Sequence, residues 1–267
     1  MDRRPIGIFD SGFGGLTALK ALRRLLPGED LVYFADTGRM PYGPRPREEL
    51  LRMTRQNLDF LAAFNVKAIL AACGTVSSTA RAVLEEYPVP AFGVLLPAVE
   101  AMTAVPGEKP LAVLATAASI ESGQFTEPLR ARCLGREVLG VACPEFVPLI
   151  ERGHIARNDP ALRSAVSRAL APMKGRDWGA VLLGCTHYGI IEESVREELG
   201  DLPLISAAEC GAATLRDYLA GNGMCAGDAT GETRFFISCD PAHFEAFASR
   251  YLEMGPVHAE RMDPMET

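Results

Sequence analysis

The sequence contains no window of 18 uninterrupted apolar residues, so no segment is expected to span a membrane. Cysteine is too sparse for a disulfide framework. Seven, an odd number, are scattered through strand-like and loop-like stretches, a pattern suited to a reducing compartment. Neither these cysteines nor the four histidines fall at C-x₂₋₄-C or H-x₃₋₅-H spacing, so no metal site is expected. A C-x-x-C redox pair is absent as well. The glycine cluster SGFGG matches neither G-x-G-x-x-G nor a P-loop, which excludes the usual nucleotide fingerprints. Excess positive charge is missing too. The net charge is −7, against the clustered basic face that nucleic-acid binding needs. The basic stretches around Arg23 and from Arg45 to Arg55 are interleaved with apolar residues and are expected to be solvated helix faces. The N-terminus, MDRRPIGIFD, lacks the apolar core of a signal peptide, and the expected location is the cytoplasm.

What is present is ordinary globular composition. Hydrophobic residues make up 48% and charged residues 23% of 267 positions, enough to bury a large core. Strand-like apolar runs alternate with helical patterns: PIGIF, a helix from Leu16 to about Leu26, LVYFAD, a helix over 47–64, then VKAILAA. That alternation predicts a doubly wound parallel α/β sheet. A helix is expected over 77–86. PLAVLAT begins a second series, with TAASIESGQF as its polar turn, a strand over 137–142, a helix over 159–173 and the strand WGAVLLG. The tail supplies PLIS, a helix from about Ala208, the strand RFFIS and a helix over 241–252. This third set is expected to fold back on the first half. The last dozen residues, with Met262 and Met265, are expected to fray.

Two stretches echo each other, ILAACGTVSS (69–78) and VLLGCTHYGI (181–190). In each, a buried-strand run ends on a cysteine with a threonine close behind. Ligands of open α/β sheets sit beyond such carboxyl ends. Cys73 follows Asp10 by 63 residues and Cys185 follows Thr116 by 69, spacing that suggests an internal duplication. The expected architecture is two pseudo-symmetric doubly wound α/β lobes with mainly parallel sheets and an active site in the cleft between them. Residues 1–95 plus 207–267 form the lobe carrying Asp10 and Cys73. Residues 96–206 form the lobe carrying Thr116 and Cys185.

Two thiols facing one small pocket suit a reaction that removes a proton from one face of a carbon acid and returns one to the other. The remaining five cysteines, Cys133, Cys143, Cys210, Cys225 and Cys239, read as small core residues. His187, two positions past Cys185, lies on the same side as that thiol if the strand geometry persists. Asp10 either caps the helix that follows or serves as a charge partner for a substrate ammonium or a thiol. SGFGG is read as presenting backbone N–H groups at a helix N-terminus, which favours a carboxylate.

Taken in order, FDSGFGGLTALKAL, YFADTGRMPYGPRP, AACGTVSS, CPEFVPLIERG and LLGCTHYGII resemble the glutamate racemases, the cofactor-independent amino-acid racemases of cell-wall synthesis. The matches run from residue 6 to about 252. The resemblance implies two lobes closing over free glutamate with no cofactor and no metal, a cytoplasmic homodimer, and D-glutamate supplied for peptidoglycan. It implies Cys73 as the base toward D-glutamate and Cys185 as the base toward L-glutamate, with Asp10 and His187 tuning the thiols and Asp36 and Glu151 in support. Asp10–Ser11, Tyr42–Gly43, Gly74–Thr75 and Thr186–His187 match substrate-contacting pairs. Two departures stand out. Gly74 replaces the asparagine that usually follows the first cysteine. A G-T-x-G-T-type turn is replaced by Ala115-Thr116-Ala117-Ala118-Ser119, in which Thr116 and Ser119 keep the hydroxyls. The alternatives are a related racemase or decarboxylase acting on aspartate, a hydantoin or a malonate, and a protein that binds an acidic amino acid without chemistry.

Overall fold

The structure is a computed structural model that describes residues 1–227 and 229–264. Its elements follow the alternation of the sequence. The first series is β1 (Ile6–Asp10), α1 (Leu16–Leu25), β2 (Leu31–Ala35), α2 (Arg47–Ala62), β3 (Ala68–Ala71), α3 (Gly74–Thr79), α4 (Arg81–Glu85), β4 (Ala91–Gly93) and α5 (Leu95–Thr103). The second is β5 (Leu111–Ala115), α6 (Ala117–Glu121), α7 (Thr126–Arg132), β6 (Val138–Ala142), α8 (Phe146–Glu151), α9 (Pro160–Leu170), β7 (Ala180–Leu183), α10 (Glu192–Leu199) and β8 (Leu204–Ser206). α11 (Ala207–Gly221), β9 (Thr233–Ile237), α12 (Pro241–Leu252) and β10 (Ala259–Arg261) complete it.

The strands form two sheets, β10-β9-β2-β1-β3-β4 and β6-β5-β7-β8, and every pairing is parallel. Within the first, β2-β1-β3-β4 has the same strand order as β6-β5-β7-β8, so the echo between the halves is topological. β9 and β10 extend the first sheet alone, through the pairing of β9 with β2. In each sheet the chain leaves the central strand to opposite sides, and the crevice beyond the carboxyl ends at such a switch point is the natural ligand site.

Burial explains the uniform apolar runs. Ile6 and Ile8 of β1, Leu31 and Tyr33 of β2 and Leu70 of β3 belong to one core cluster. Their alternates Phe9, Val32, Phe34 and Ile69 belong to another, as a strand covered on both faces requires. The first cluster continues without a break through α1, α5 and α11 into both faces of the second sheet. Asp10 shares the parity of Ile6 and Ile8, so its side chain points toward that shared side. Helix starts carry their own signals: Asp159 accepts from the amides of Ala161 and Leu162 ahead of Pro160, and Asp240 accepts from Ala242 ahead of Pro241.

Four local expectations change. The helix expected over 77–86 starts earlier, directly after Cys73, and breaks at Ala80 into α3 and α4. TAASIESGQF is not an open turn. Thr116 accepts a hydrogen bond from the Ser119 amide and caps α6. The tail does not fray where it is described, because Ala259–Arg261 pairs with β9 and Met262 packs on the core; Met265 lies outside the described residues. Arg23 is not on a solvated face. Its guanidinium donates to the carbonyls of Glu29 and Gly231 and to the Thr233 hydroxyl, joining α1 to the chain entering β9. Arg47, Arg52 and Arg55 of α2 are exposed as expected.

Candidate active site

Both echoing cysteines stand just past strand ends, Cys73 after β3 and Cys185 after β7, and both line one cleft of about 750 Å³ between the sheets. Cys73 is buried in the N-cap position of α3, and its Sγ lies 3.6 Å from the Ser11 hydroxyl. Burial and the nearby Asp10 carboxylate push this thiol up to about 11, against the backbone amides of Val76 and Thr75 and the Ser11 hydroxyl. Cys185 is half-buried and opens a 3-10 turn over Thr186–Ile191.

The tight turn brings His187 back under Cys185, with Nδ1 3.8 Å from Sγ and Nε2 3.0 Å from Glu151 Oε1. Burial disfavours charge on this imidazole, but the Cys185 sulfur and the Glu151 carboxylate together push its pKa up to about 10. An imidazolium donates from both ring nitrogens, so the protonated ring spans the Cys185 sulfur on one side and the Glu151 side chain on the other. Asp10 is nearly inaccessible. It accepts the Gly12 amide at 2.8 Å and the Thr186 hydroxyl at 3.2 Å. Burial raises its pKa, opposed by His187 and by these two donors.

The glycines of SGFGG have a packing reason that the sequence does not show. A Cβ on Gly14 would lie 2.3 Å from Thr186 Oγ1 and 2.4 Å from His187 Nδ1, and one on Gly12 would lie 2.9 Å from Glu151 Oε1. The turn is glycine-rich because the second sheet's cysteine loop and Glu151 press directly against it. Its Gly12 amide donates to the chain's own Asp10, which makes no capping bond to α1 among the described residues.

The other candidates sort cleanly. Ser11, Tyr42, Gly43, Gly74 and Thr75 line the cleft from the first sheet's side. Thr116, Ser119, Glu151, Thr186 and His187 line it from the second. The Thr116 hydroxyl donates to Ser119 Oγ at 3.0 Å. Asp10 sits beneath the cleft and Asp36 lies outside its lining. Fully buried, Asp36 accepts from Arg39 at 2.6 Å, from the Tyr42 hydroxyl and from the Ser238 hydroxyl at 2.9 Å. Asn57 in turn donates to the Tyr42 oxygen at 2.9 Å. Asp36 therefore fixes the 37–44 loop that carries Tyr42 and Gly43 and makes no contact with the cleft. At Gly74 a Cβ would meet only the Gly184 carbonyl at 3.3 Å and Phe125 at 3.9 Å, so the position is snug without being closed to a side chain.

Sequence reading missed Arg152, His243 and the apolar Met40 and Val147, all of which line the cleft. Arg152 adjoins Glu151 and was open to notice. His243 had no local signal, because only the pairing of β9 with β2 brings α12 to the cleft. Among the described residues no group of three or more His, Cys, Asp or Glu side chains gathers to hold a metal, and no helix is long and apolar enough to cross a membrane.

Comparison with known proteins places this geometry in context. The family described as Asp/Glu/Hydantoin racemase matches residues 17–215. The glutamate racemase of Thermoanaerobacter sp. (strain X514) is 38% identical over 245 residues, covering 91% of each chain. The crystal structure of glutamate racemase from Francisella tularensis in complex with D-glutamate superposes with a TM-score of 0.88 at 31% identity over 100% of both chains. That of Thermus thermophilus, in complex with β-chloro-D-alanine, gives 0.86 at 35% identity, again over 100% of both chains.

Proposed function

The chain belongs to the Asp/Glu/Hydantoin racemase family, and we propose that it is a glutamate racemase that inverts the α-carbon with two thiols. The observation that carries this reading is the pair of cysteines on one cleft, each at the carboxyl edge of a different parallel sheet. The Cys73 thiolate takes the α-proton of D-glutamate and becomes a thiol. The carbanion is then reprotonated on its other face by the Cys185 thiol, which becomes the thiolate. From L-glutamate the duties reverse. The reaction draws on no cofactor and no metal.

On this reading the protonated His187 stabilises the Cys185 thiolate, and Glu151 holds the ring in place. Asp10 sets the charge beside Cys73. The hydroxyls of Ser11, Thr75, Thr116, Ser119 and Thr186, with the backbone of Gly43 and Gly74, orient the ammonium and carboxylates, and Tyr42 and Asp36 support the wall they form. The lobes are 1–95 with 207–267, and 96–206. The protein acts as a cytoplasmic homodimer whose D-glutamate enters peptidoglycan. A panel of L- and D-glutamate, aspartate and alanine read by circular dichroism tests the substrate: both glutamates should lose optical activity, while preferred turnover of aspartate would overturn the assignment.

A further inference from the structure

A second pocket, of about 490 Å³, adjoins the cleft and shares Gly43, Thr75, Ala118 and Ser119 with it. Its walls come from both halves of the chain: Arg45 and Arg47 on one side, Ser122 and Gln124 on the other. The only charged residues in this lining are the two arginines. Two of its donors, Arg45 Nε and Gln124 Nε2, are buried without an acceptor among the described residues. Arg45 also uses one terminal nitrogen to pair with Glu49, which leaves its Nε edge uncommitted. Buried donors with no acceptor are costly and call for a partner, and a guanidinium and an amide lining one pocket suit a carboxylate.

We propose that this pocket is an anion subsite at the mouth of the cleft, where Arg45 and Gln124 take a carboxylate of incoming substrate before the α-carbon reaches the thiols. The inference rests on the glutamate racemase reading. Because the two donors come from opposite halves, a carboxylate held between them also draws the walls of the cleft together. Positive charge at a cleft mouth raises capture of an anionic substrate and makes it salt-sensitive.

Steady-state kinetics of Arg45→Gln, Gln124→Leu and Glu49→Gln in the full-length protein test it. Arg45→Gln and Gln124→Leu should each raise KM for both enantiomers by about five-fold or more through the lost charge-assisted contact, with kcat within about two-fold of wild type. Wild-type kcat/KM should fall with ionic strength, and the Arg45→Gln profile should be flatter. Glu49→Gln should leave KM unchanged or lower it. Unchanged KM and salt dependence in Arg45→Gln would overturn the subsite, as would a Glu49→Gln variant that reproduces its effect, since Arg45 would then act by anchoring α2. Titration with inorganic phosphate separates sources: phosphate binding that Arg45→Gln abolishes while KM for glutamate is untouched would mark a separate anion site and overturn the capture role. Failure of the racemase reading would show differently, as wild-type protein that exchanges no α-proton of either enantiomer.

Discussion

The Thr186 hydroxyl donates to Asp10 Oδ2 at 3.2 Å, tying the end of the first sheet's central strand to the loop that carries the other sheet's cysteine. Asp10 also lies close enough to Cys73 to push that thiol up. One buried carboxylate thus touches the machinery on both sides, and it makes the thiols unequal: Cys73 is buried beside a negative charge, while Cys185 is half-exposed beside an imidazolium.

That inequality predicts the order of chemical modification. Iodoacetamide should alkylate Cys185 well before Cys73 at pH 7–8, followed by peptide mass spectrometry, because the thiolate is the nucleophile. With Cys73 pushed up to about 11, its alkylation rate should climb about ten-fold per pH unit between roughly pH 8 and 10. Asp10→Asn removes the nearby charge and should speed Cys73 alkylation at a fixed pH. Equal rates for the two cysteines, or a slower Cys73 in Asp10→Asn, would contradict this account.

Glu151→Gln should lower the His187 pKa from about 10, because one of the two groups holding its proton is lost. Proton-detected NMR of the ring reads this directly. The fold favours the protonated ring, so the stabilisation it brings is complete below the ordinary value of 6.5 and is lost as pH rises through about 10. Wild-type stability should therefore fall between about 6.5 and 10, and in the variant the fall should be smaller and end at lower pH. Turnover should drop by roughly ten- to a hundred-fold, the scale of a weakened proton-transfer partner.

Two glycine substitutions should separate sharply. Gly14→Ala places a methyl 2.3 Å from Thr186 Oγ1 and 2.8 Å from the His187 backbone nitrogen. It should cost about 1–3 kcal/mol of stability as an overpacked contact and abolish most activity by displacing the cysteine loop. Gly74→Ala meets its nearest atom at 3.3 Å and should change stability by less than about 1 kcal/mol. Thermal melts with parallel turnover assays check both.

Much of this was legible in the sequence, for a physical reason. Strands buried on both faces must be apolar throughout, so AVLL and AILA announce themselves and their polar exits mark the site. The Cys-Thr echo was visible for the same reason, and it holds at the level of strand order. The purposes of the polar groups were less visible. SGFGG is shaped by contact with Thr186, His187 and Glu151, residues more than a hundred positions away. Asp36 is picked out only by the family likeness, in a supporting role, and its partners Arg39, Tyr42 and Ser238 tie it to the loop that carries Tyr42 and Gly43. His243 depends on a sheet extension that no local pattern encodes.

The central claim is that two different thiols work on opposite faces of one carbon, and early-time labelling tests it most directly. L-Glutamate turned over in D₂O and sampled before much product accumulates should give D-glutamate carrying solvent deuterium at Cα, while the remaining L-glutamate stays unlabelled. In that result the acid that delivers the new proton is not the base that took the old one. Product D-glutamate that retains the substrate's hydrogen, or L-glutamate that gains deuterium as fast as product forms, would mean one base serving both faces and would contradict the account.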